Sequence, residues 1–430
     1  MTTKITLKLN PPHNGRYYTE DDIISGSVVL KLAKATAVKQ LRVILKGTSQ
    51  TMTLAEADRH SSRLPQDPQT QYTKEKSTHI LFHQGVQLLP PTGVEDSIKL
   101  GQDTYKYGFE FRLAGGPKCV SGHQATSHSF LEDKAHEHYG EQLPPSFNDR
   151  HEGGGVTTEE LFFYNLGKVR YTVRAEADVA TGNKWAPKSP LHDTMVISFL
   201  PLQCQAYVEN ACTSAGSDDT LVNYTALPRT YRAAADVVLS DGLSVTPEVR
   251  SNALAYVHRL DYLFRESSGK FGNIFMVFSG DPTKHSVKLT RLVLSLHEKV
   301  SFTANGHTNK NLSQLKLMDT PLDDELQLRD LHILEDGSRE GKLNLGDHPV
   351  LSRLRFNEED YIHRGNTLFS FTTCNIKREY YFQLDLHWKV DATAVRSEII
   401  VDPVTVYAES APPAFEGLPP YPEKPPKYEA

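Results

Sequence analysis

The sequence predicts an all-β protein of two related sandwich domains followed by a proline-rich tail. Three observations carry that expectation: apolar residues recur with period two, the chain is longer than one core can serve, and its two halves echo each other.

The period is clearest late in the chain. Ile376, Arg378, Tyr380, Phe382, Leu384, Leu386, Trp388 and Val390 alternate with mostly polar residues. That is the pattern of a long strand with one face on a core and the other in water. The same rule places strands at Val28, Leu30 and Leu32, at Leu41, Val43 and Leu45, at Tyr107, Phe109, Phe111 and Leu113, and from Val169 to Val179. Strands of this kind fit antiparallel sandwiches, because buried parallel strands read as continuous apolar runs. One stretch departs from the rule. Between Arg250 and Phe264, Leu254, Val257, Leu260 and Phe264 recur at intervals of three and four, which fits a short helix.

The chain has 430 residues, and single cores stop growing at roughly 250–300. Two domains are therefore expected, residues 1–203 and 204–408. The boundary is set near Pro201 to Ala206, where the strand through Val196 and Phe199 gives way to proline and polar residues. The echo supports the division. Thr36 to Val43 resembles His285 to Leu292, at a spacing of 249, and Val169-Arg170-Tyr171 resembles Lys377 to Tyr380, at a spacing of 209. Unequal spacings predict different insertions in related domains rather than a short-period array. Two long polar stretches, 53–79 and 118–160, read as those insertions and as mobile surface loops. Residues 409–430 hold seven of the 25 prolines and no Ile or Val, so this segment is expected to be disordered and partly polyproline II.

Charge and cysteine usage narrow the function. With 47 Lys and Arg against 53 Asp and Glu, the formal charge is -6, which offers no global field for nucleic acid. The four cysteines are widely spaced and the first residues lack a signal-peptide pattern, so free thiols in a reducing cytoplasm are expected. No apolar run approaches the roughly 20 residues of a membrane span.

Catalytic signatures are absent: there is no G-x-G-x-x-G, phosphate-binding loop, H-E-x-x-H or G-x-S-x-G. His123, His128, His136, His138 and His151 cluster in the second insertion, but only Cys119 lies near them, and solvated loop histidines are the expectation. The runs Asp21-Asp22, Asp323 to Glu325 and Glu358 to Asp360 read as solvated carboxylates. Tyr107, Phe109 and Phe111 read as a buried sheet face. No catalytic residue, metal or cofactor is expected.

The informative segment is the end of the chain. Pro425, Pro426 and Tyr428 form P-P-x-Y, and Leu418, Pro419 and Tyr421 form the variant L-P-x-Y. Adjacent prolines hold polyproline II before binding, so little ordering entropy is lost on an aromatic groove, while the tyrosine fills a neighbouring pocket. This is the ligand chemistry of WW domains. Random order of 25 Pro and 19 Tyr would give roughly 0.06 such matches in the chain. The motifs start seven residues apart, at Leu418 and Pro425, about 22 Å in polyproline II. A WW module is itself about 20 Å across, so the motifs are expected to act as alternative registers for one WW domain.

The assembled pieces resemble the α-arrestin family, the fungal arrestin-related trafficking adaptors. The resemblance runs through Ile24 to Leu30, Val38 to Gly47, Tyr105 to Leu113, Lys168 to Val173, Val287 to Leu296 and Cys374 to Val390, and closes on the WW motifs. Departures are Ala114-Gly115-Gly116-Pro117 after Leu113, and the stretch from Asn210 to Ser267. The resemblance implies two tandem immunoglobulin-like arrestin sandwiches joined by a short hinge. It implies a non-enzymatic adaptor whose Pro425, Pro426, Tyr428, Leu418, Pro419 and Tyr421 recruit the WW domains of a HECT-type ubiquitin ligase. The ligase would be brought to cytosolic segments of plasma-membrane transporters or receptors, promoting ubiquitination and endocytosis. It further implies a cytoplasmic protein that reaches plasma membrane and endosomes only through its cargo. Two other readings stay open at this point: an arrestin-fold sorting or coat subunit of the retromer type, and a ligase substrate with no adaptor role.

Overall fold

The computed structural model describes residues 2–20, 22–56, 72–91, 97–113, 130, 143–150, 166–179, 190–201, 229–234, 236–238, 243–251, 254–256, 271–325, 331–345, 348–351, 362–363 and 366–407. These residues form mainly strands, with a short 3-10 turn at Pro282–Lys284. No helix among them is long and apolar enough to cross a membrane.

The first half contributes β1 (Lys4–Leu9), β2 (Ile23–Lys31), β3 (Thr36–Glu56), β4 (Tyr72–Leu89), β5 (Ile98–Leu100), β6 (Thr104–Arg112), β7 (Phe147–Arg150), β8 (Leu166–Val179) and β9 (Leu191–Ile197). Sheet β1-β2-β6 faces sheet β4-β3-β8-β7, with β5 added to β3 and β9 to β8. The alternating residues of both sheets meet in one core: Ile24, Val28 and Leu30 from one, Val43, Leu45, Tyr171 and Val173 from the other, all fully buried.

The second half contributes β10 (Arg229–Arg232), β11 (Val237–Val238), β12 (Ser244–Ser251), β13 (Leu254–Tyr256), β14 (Asn273–Ser279), β15 (Val287–Ala304), β16 (His307–Glu325), β17 (His332–Ile333) and β18 (Arg339–Asn344). It continues with β19 (Ile362–His363), β20 (Asn366–Thr367), β21 (Phe371–Thr372), β22 (Ile376–Val390) and β23 (Thr393–Tyr407). Sheet β10-β12-β14-β18-β17 faces sheet β13-β23-β22-β15-β16. Between them lie Phe278, Leu294, Phe382, Leu384, Leu386 and Ile399. Asn305 and Gly306, both with positive φ, close the β15–β16 hairpin as an Asn-Gly turn, whose twist matches that of the strands.

The echo in the sequence is a repeat in topology. Order β4-β3-β8-β9 in the first half matches β16-β15-β22-β23 in the second. The 249-residue spacing equates Gly47 with Leu296. Gly47 stands opposite Tyr171 and Leu296 opposite Phe382, so the second offset is 211, two residues from the spacing of 209 that similarity of letters suggested.

Two expectations are corrected. Helical spacing over 250–264 does not give a helix in the described part: Arg250 and Ser251 end β12, and Leu254–Tyr256 form β13, which runs parallel to β23. Pairing with β23 sets the conformation there, and period alone cannot separate strand from helix for so short a run. Residues 257–264 lie outside the described residues. Within the expected insertion 53–79, Thr53–Glu56 and Tyr72–His79 pair as the far ends of β3 and β4, and within 118–160, Phe147–Arg150 form β7. At the far end of β3 the inward residues are Thr51 and Thr53 rather than apolar ones, so no apolar alternation marks the strand there. The expected boundary at 203–204 falls in 202–228, outside the described residues, as do the tail and the cysteines other than Cys374, which is a buried free thiol.

Candidate functional site

Pro425, Pro426, Tyr428, Leu418, Pro419 and Tyr421 all lie outside the described residues, as does the histidine cluster. The strand from which the tail departs is described. β23 ends at Tyr407 between β22 and the parallel β13, with Val404, Thr405 and Val406 buried. The Val406 amide donates to Ser370 Oγ at 2.9 Å, and the Ser370 amide donates to the Val406 carbonyl at 2.8 Å. The root of the tail is thus fixed on the second sandwich.

The most elaborate arrangement is the junction between the sandwiches. Along β3 the inward positions change from Val43 and Leu45 to Ser49, Thr51 and Thr53, still buried. Ser49 and Thr51 take their partners from the other half, while the Thr53 hydroxyl has none among the described residues. Ser49 Oγ donates to Asn375 Oδ1 at 2.6 Å, Asn375 Nδ2 donates to Thr51 Oγ1 at 3.1 Å, and Thr51 Oγ1 donates to the Thr303 carbonyl at 2.7 Å. Thr373 Oγ1 lies 3.2 Å from Ser49 Oγ. Burying hydroxyls and an amide is tolerated only when each is hydrogen-bonded, and Ser49, Thr51 and Asn375 meet that condition across the two halves. Nearby, the Asn148 amide donates to Asn366 Oδ1 at 2.8 Å and Asn366 Nδ2 donates to the Asn148 carbonyl at 3.1 Å.

A second layer contains charge. Arg378 is 2% exposed. Its Nε donates to Glu298 Oε1 at 2.6 Å and its Nη1 to the Thr367 carbonyl at 2.6 Å, while the guanidinium lies 5.0 Å from the Phe147 ring of the first half. Burial works against the charge, but the Tyr380 and Glu298 side chains and Asp149 more than offset it and hold the pKa above the usual arginine value. Ser313 Oγ donates to Glu298 Oε2 at 2.7 Å, and Asn311 Nδ2 donates to Asp149 Oδ2 at 3.1 Å, again joining the halves. The C-terminal half also enters the N-terminal core directly, through Val300, Phe302, Phe369, Phe371 and Ile376.

The second sandwich carries a polar cavity of about 630 Å³, lined by Arg232, Glu248, Arg250, Thr246, Ser279 and Ser338 among others. Its buried floor, Glu248, accepts from Arg232 Nε at 3.1 Å and from Arg250 Nη2 at 2.8 Å; Arg250 also pairs with Glu340. Burial opposes the Arg250 charge, but its hydrogen bonds to Glu248 and Glu340 raise the pKa. Two guanidinium groups meet three carboxylates here, Glu248, Glu340 and Asp336, and among the described residues no histidine, cysteine or lysine lines the space. The arrangement supports a shape rather than a reaction. Among the described residues no cluster of His, Cys, Asp and Glu is placed to hold a metal.

The sequence points to the tail and not to the junction. The signal was present: hydroxyls at the inward positions 49 and 51 require partners that their own sandwich does not supply, and Arg378 on the apolar face of its strand requires a buried counter-charge.

Comparison with known proteins bears on the whole chain. Residues 225–411 match the model of the Arrestin-related trafficking adapter 10 C-terminal domain. The chain is 32% identical to Arrestin-related trafficking adapter 10 of Lachancea thermotolerans, with 100% of both chains covered. It is 31% identical to the protein of that name in Candida glabrata, covering 100% of this chain and 99% of the relative. Its identity to that of Saccharomyces cerevisiae strain RM11-1a is 29%, over 95% of each.

Proposed function

The chain belongs to the arrestin-related trafficking adapter 10 family, and from that premise we propose that it recruits a WW-domain HECT-type ubiquitin ligase to plasma-membrane transporters or receptors. Their ubiquitination and endocytosis would follow, with no chemistry performed by this chain. The observation that carries the reading is the pair of WW ligands, Pro425-Pro426-x-Tyr428 and Leu418-Pro419-x-Tyr421, within eleven residues.

The anchored end of β23 supports it. Eleven residues separate Tyr407 from Leu418, which allows at most about 40 Å of chain between the platform and the first motif. A ligase held at the end of so short a tether is kept at high effective concentration over whatever the platform has bound. Protein partners thus act at two places: the ligase on the tail, the cytosolic segment of the cargo on the sandwiches. The chain works from the cytoplasm, at plasma membrane and endosomes.

The test is retention of the full chain on ligase WW domains, comparing wild type with a variant carrying Pro426→Ala, Tyr428→Ala and Tyr421→Ala. Loss of binding together with slower cargo turnover in cells supports the adaptor. Loss of binding with cargo turnover unchanged favours a ligase substrate; retained binding would overturn the assignment to the tail motifs, and no binding by the wild type would favour a sorting subunit that does not use WW ligands.

A further inference from the structure

We propose that the outer face of sheet β4-β3-β8 in the first sandwich binds the surface of an anionic lipid bilayer. Cross-strand register puts Arg42 and Lys46 of β3, Lys168, Arg170 and Arg174 of β8 and Lys76 of β4 on this one face. Among the described side chains of these stretches, only Glu176 and Asp178 oppose them there. Six cations less two carboxylates leave +4 on a face of a chain whose formal charge is -6, so everything else sums to -10.

The charges are not used up within the sheet. Arg42 and Arg174 share Glu176, at 2.7 and 2.8 Å. Lys46, Lys76, Lys168 and Arg170 have no ion pair among the described residues. Lys46 stands opposite Thr172, so Arg170 and Arg174 are both its diagonal neighbours, and like charges so placed repel rather than support the sheet. From Lys168 to Arg174 the cations extend over about 20 Å. Beside them on β9, Val196 is 55% exposed and stands opposite Thr172.

The occupant follows from the shape. β3 lies between β4 and β8, and β8 between β3 and the pair β7 and β9, so under five of the six cations the strands have neighbours on both sides, and only Lys76, on the outer strand β4, stands where a peptide strand could add. Long flexible cations over a sheet face, with an exposed valine beside them, suit a plane of diffuse negative headgroups. This contact would add to recruitment through cargo, which the resemblance alone implied. It needs neither ligase nor cargo, so its failure leaves the adaptor reading standing.

Flotation of the full chain with vesicles tests it, using phosphatidylcholine alone and phosphatidylcholine mixed with phosphatidylserine. Binding is expected to the mixed vesicles only and to fall with added salt. Lys46→Gln, Lys168→Gln and Arg170→Gln should each lower partitioning about fivefold, the effect of one cation near such a surface. Lys342→Gln, exposed on the second sandwich, should leave it unchanged. Equal binding to both vesicles, or no change in the triple variant, would overturn the proposal. So would saturable binding of a soluble acidic peptide that the same three substitutions abolish while vesicles go unbound.

Discussion

The ring of Phe302, from the second sandwich, occupies the space that a side chain at Gly167 of the first would fill. A Cβ added at Gly167 would lie 2.0 Å from Phe302 Cε1 and 2.6 Å from Cδ1, and Phe302 itself is fully buried. The two halves therefore meet by insertion, not merely by a linker.

Gly167→Ala should be destabilising by about 1–3 kcal/mol, the usual cost of overpacking, seen as a lower urea midpoint. Phe302→Ala should cost about 3–5 kcal/mol through the cavity it leaves. Adding Phe302→Leu to Gly167→Ala should recover part of the first loss, because the smaller side chain releases the clash.

Asn375→Ala removes the partner of Ser49 and Thr51 at once and leaves buried hydroxyls short of bonds. The cost of each such group is about 1–3 kcal/mol. Hydrogen exchange should locate the loosening at the far end of β3, from Ser49 to Thr53, with little change at Leu41 to Leu45, which face their own core.

Arg378→Met should cost about 3–5 kcal/mol, since it strands Glu298 in the interior. The pair Arg378→Met with Glu298→Gln should be more stable than Arg378→Met alone, because the glutamine still accepts from Ser313 and carries no charge. Urea midpoints of the two singles and the double measure the coupling.

His297 stacks on Tyr381 at 4.6 Å, and burial lowers its pKa in spite of Glu398 and Asp385 nearby. The unfolded chain therefore takes up this proton at higher pH than the folded one. Stability contributed by the neutral ring is complete above the ordinary histidine value and is lost as pH falls below it, until the folded pKa is reached. Urea midpoints at pH 7.5 and 5.5 should differ less in His297→Gln than in wild type.

Much of the architecture is legible in the letters, and the reason is burial on one side only. Ile376 to Val390 alternates buried and half-buried along its length because one face meets the core and the other water, and such a strand writes its period into the sequence. Leu254 to Tyr256 is not legible, because it is three residues long and its strand state is set by a partner, β23, about 150 positions away. The WW motifs are legible because they need no fold: proline fixes the backbone and tyrosine follows at fixed spacing. The junction is not, since Ser49 and Asn375 look like ordinary surface residues until the halves are brought together. The offset of 211 between β8 and β22, against the 209 suggested by similar letters, shows the same thing: register follows which face of each strand meets the core, and local likeness of letters does not give it.

The central claim is that the tail is a ligase ligand carried by this platform. Calorimetric titration of a ligase WW domain into the full chain tests it most directly. Saturation is expected at one WW domain per chain, since the two motifs are too close to be filled together, and binding should be lost when Tyr421→Ala and Tyr428→Ala are combined. Undiminished binding by that double variant would contradict it.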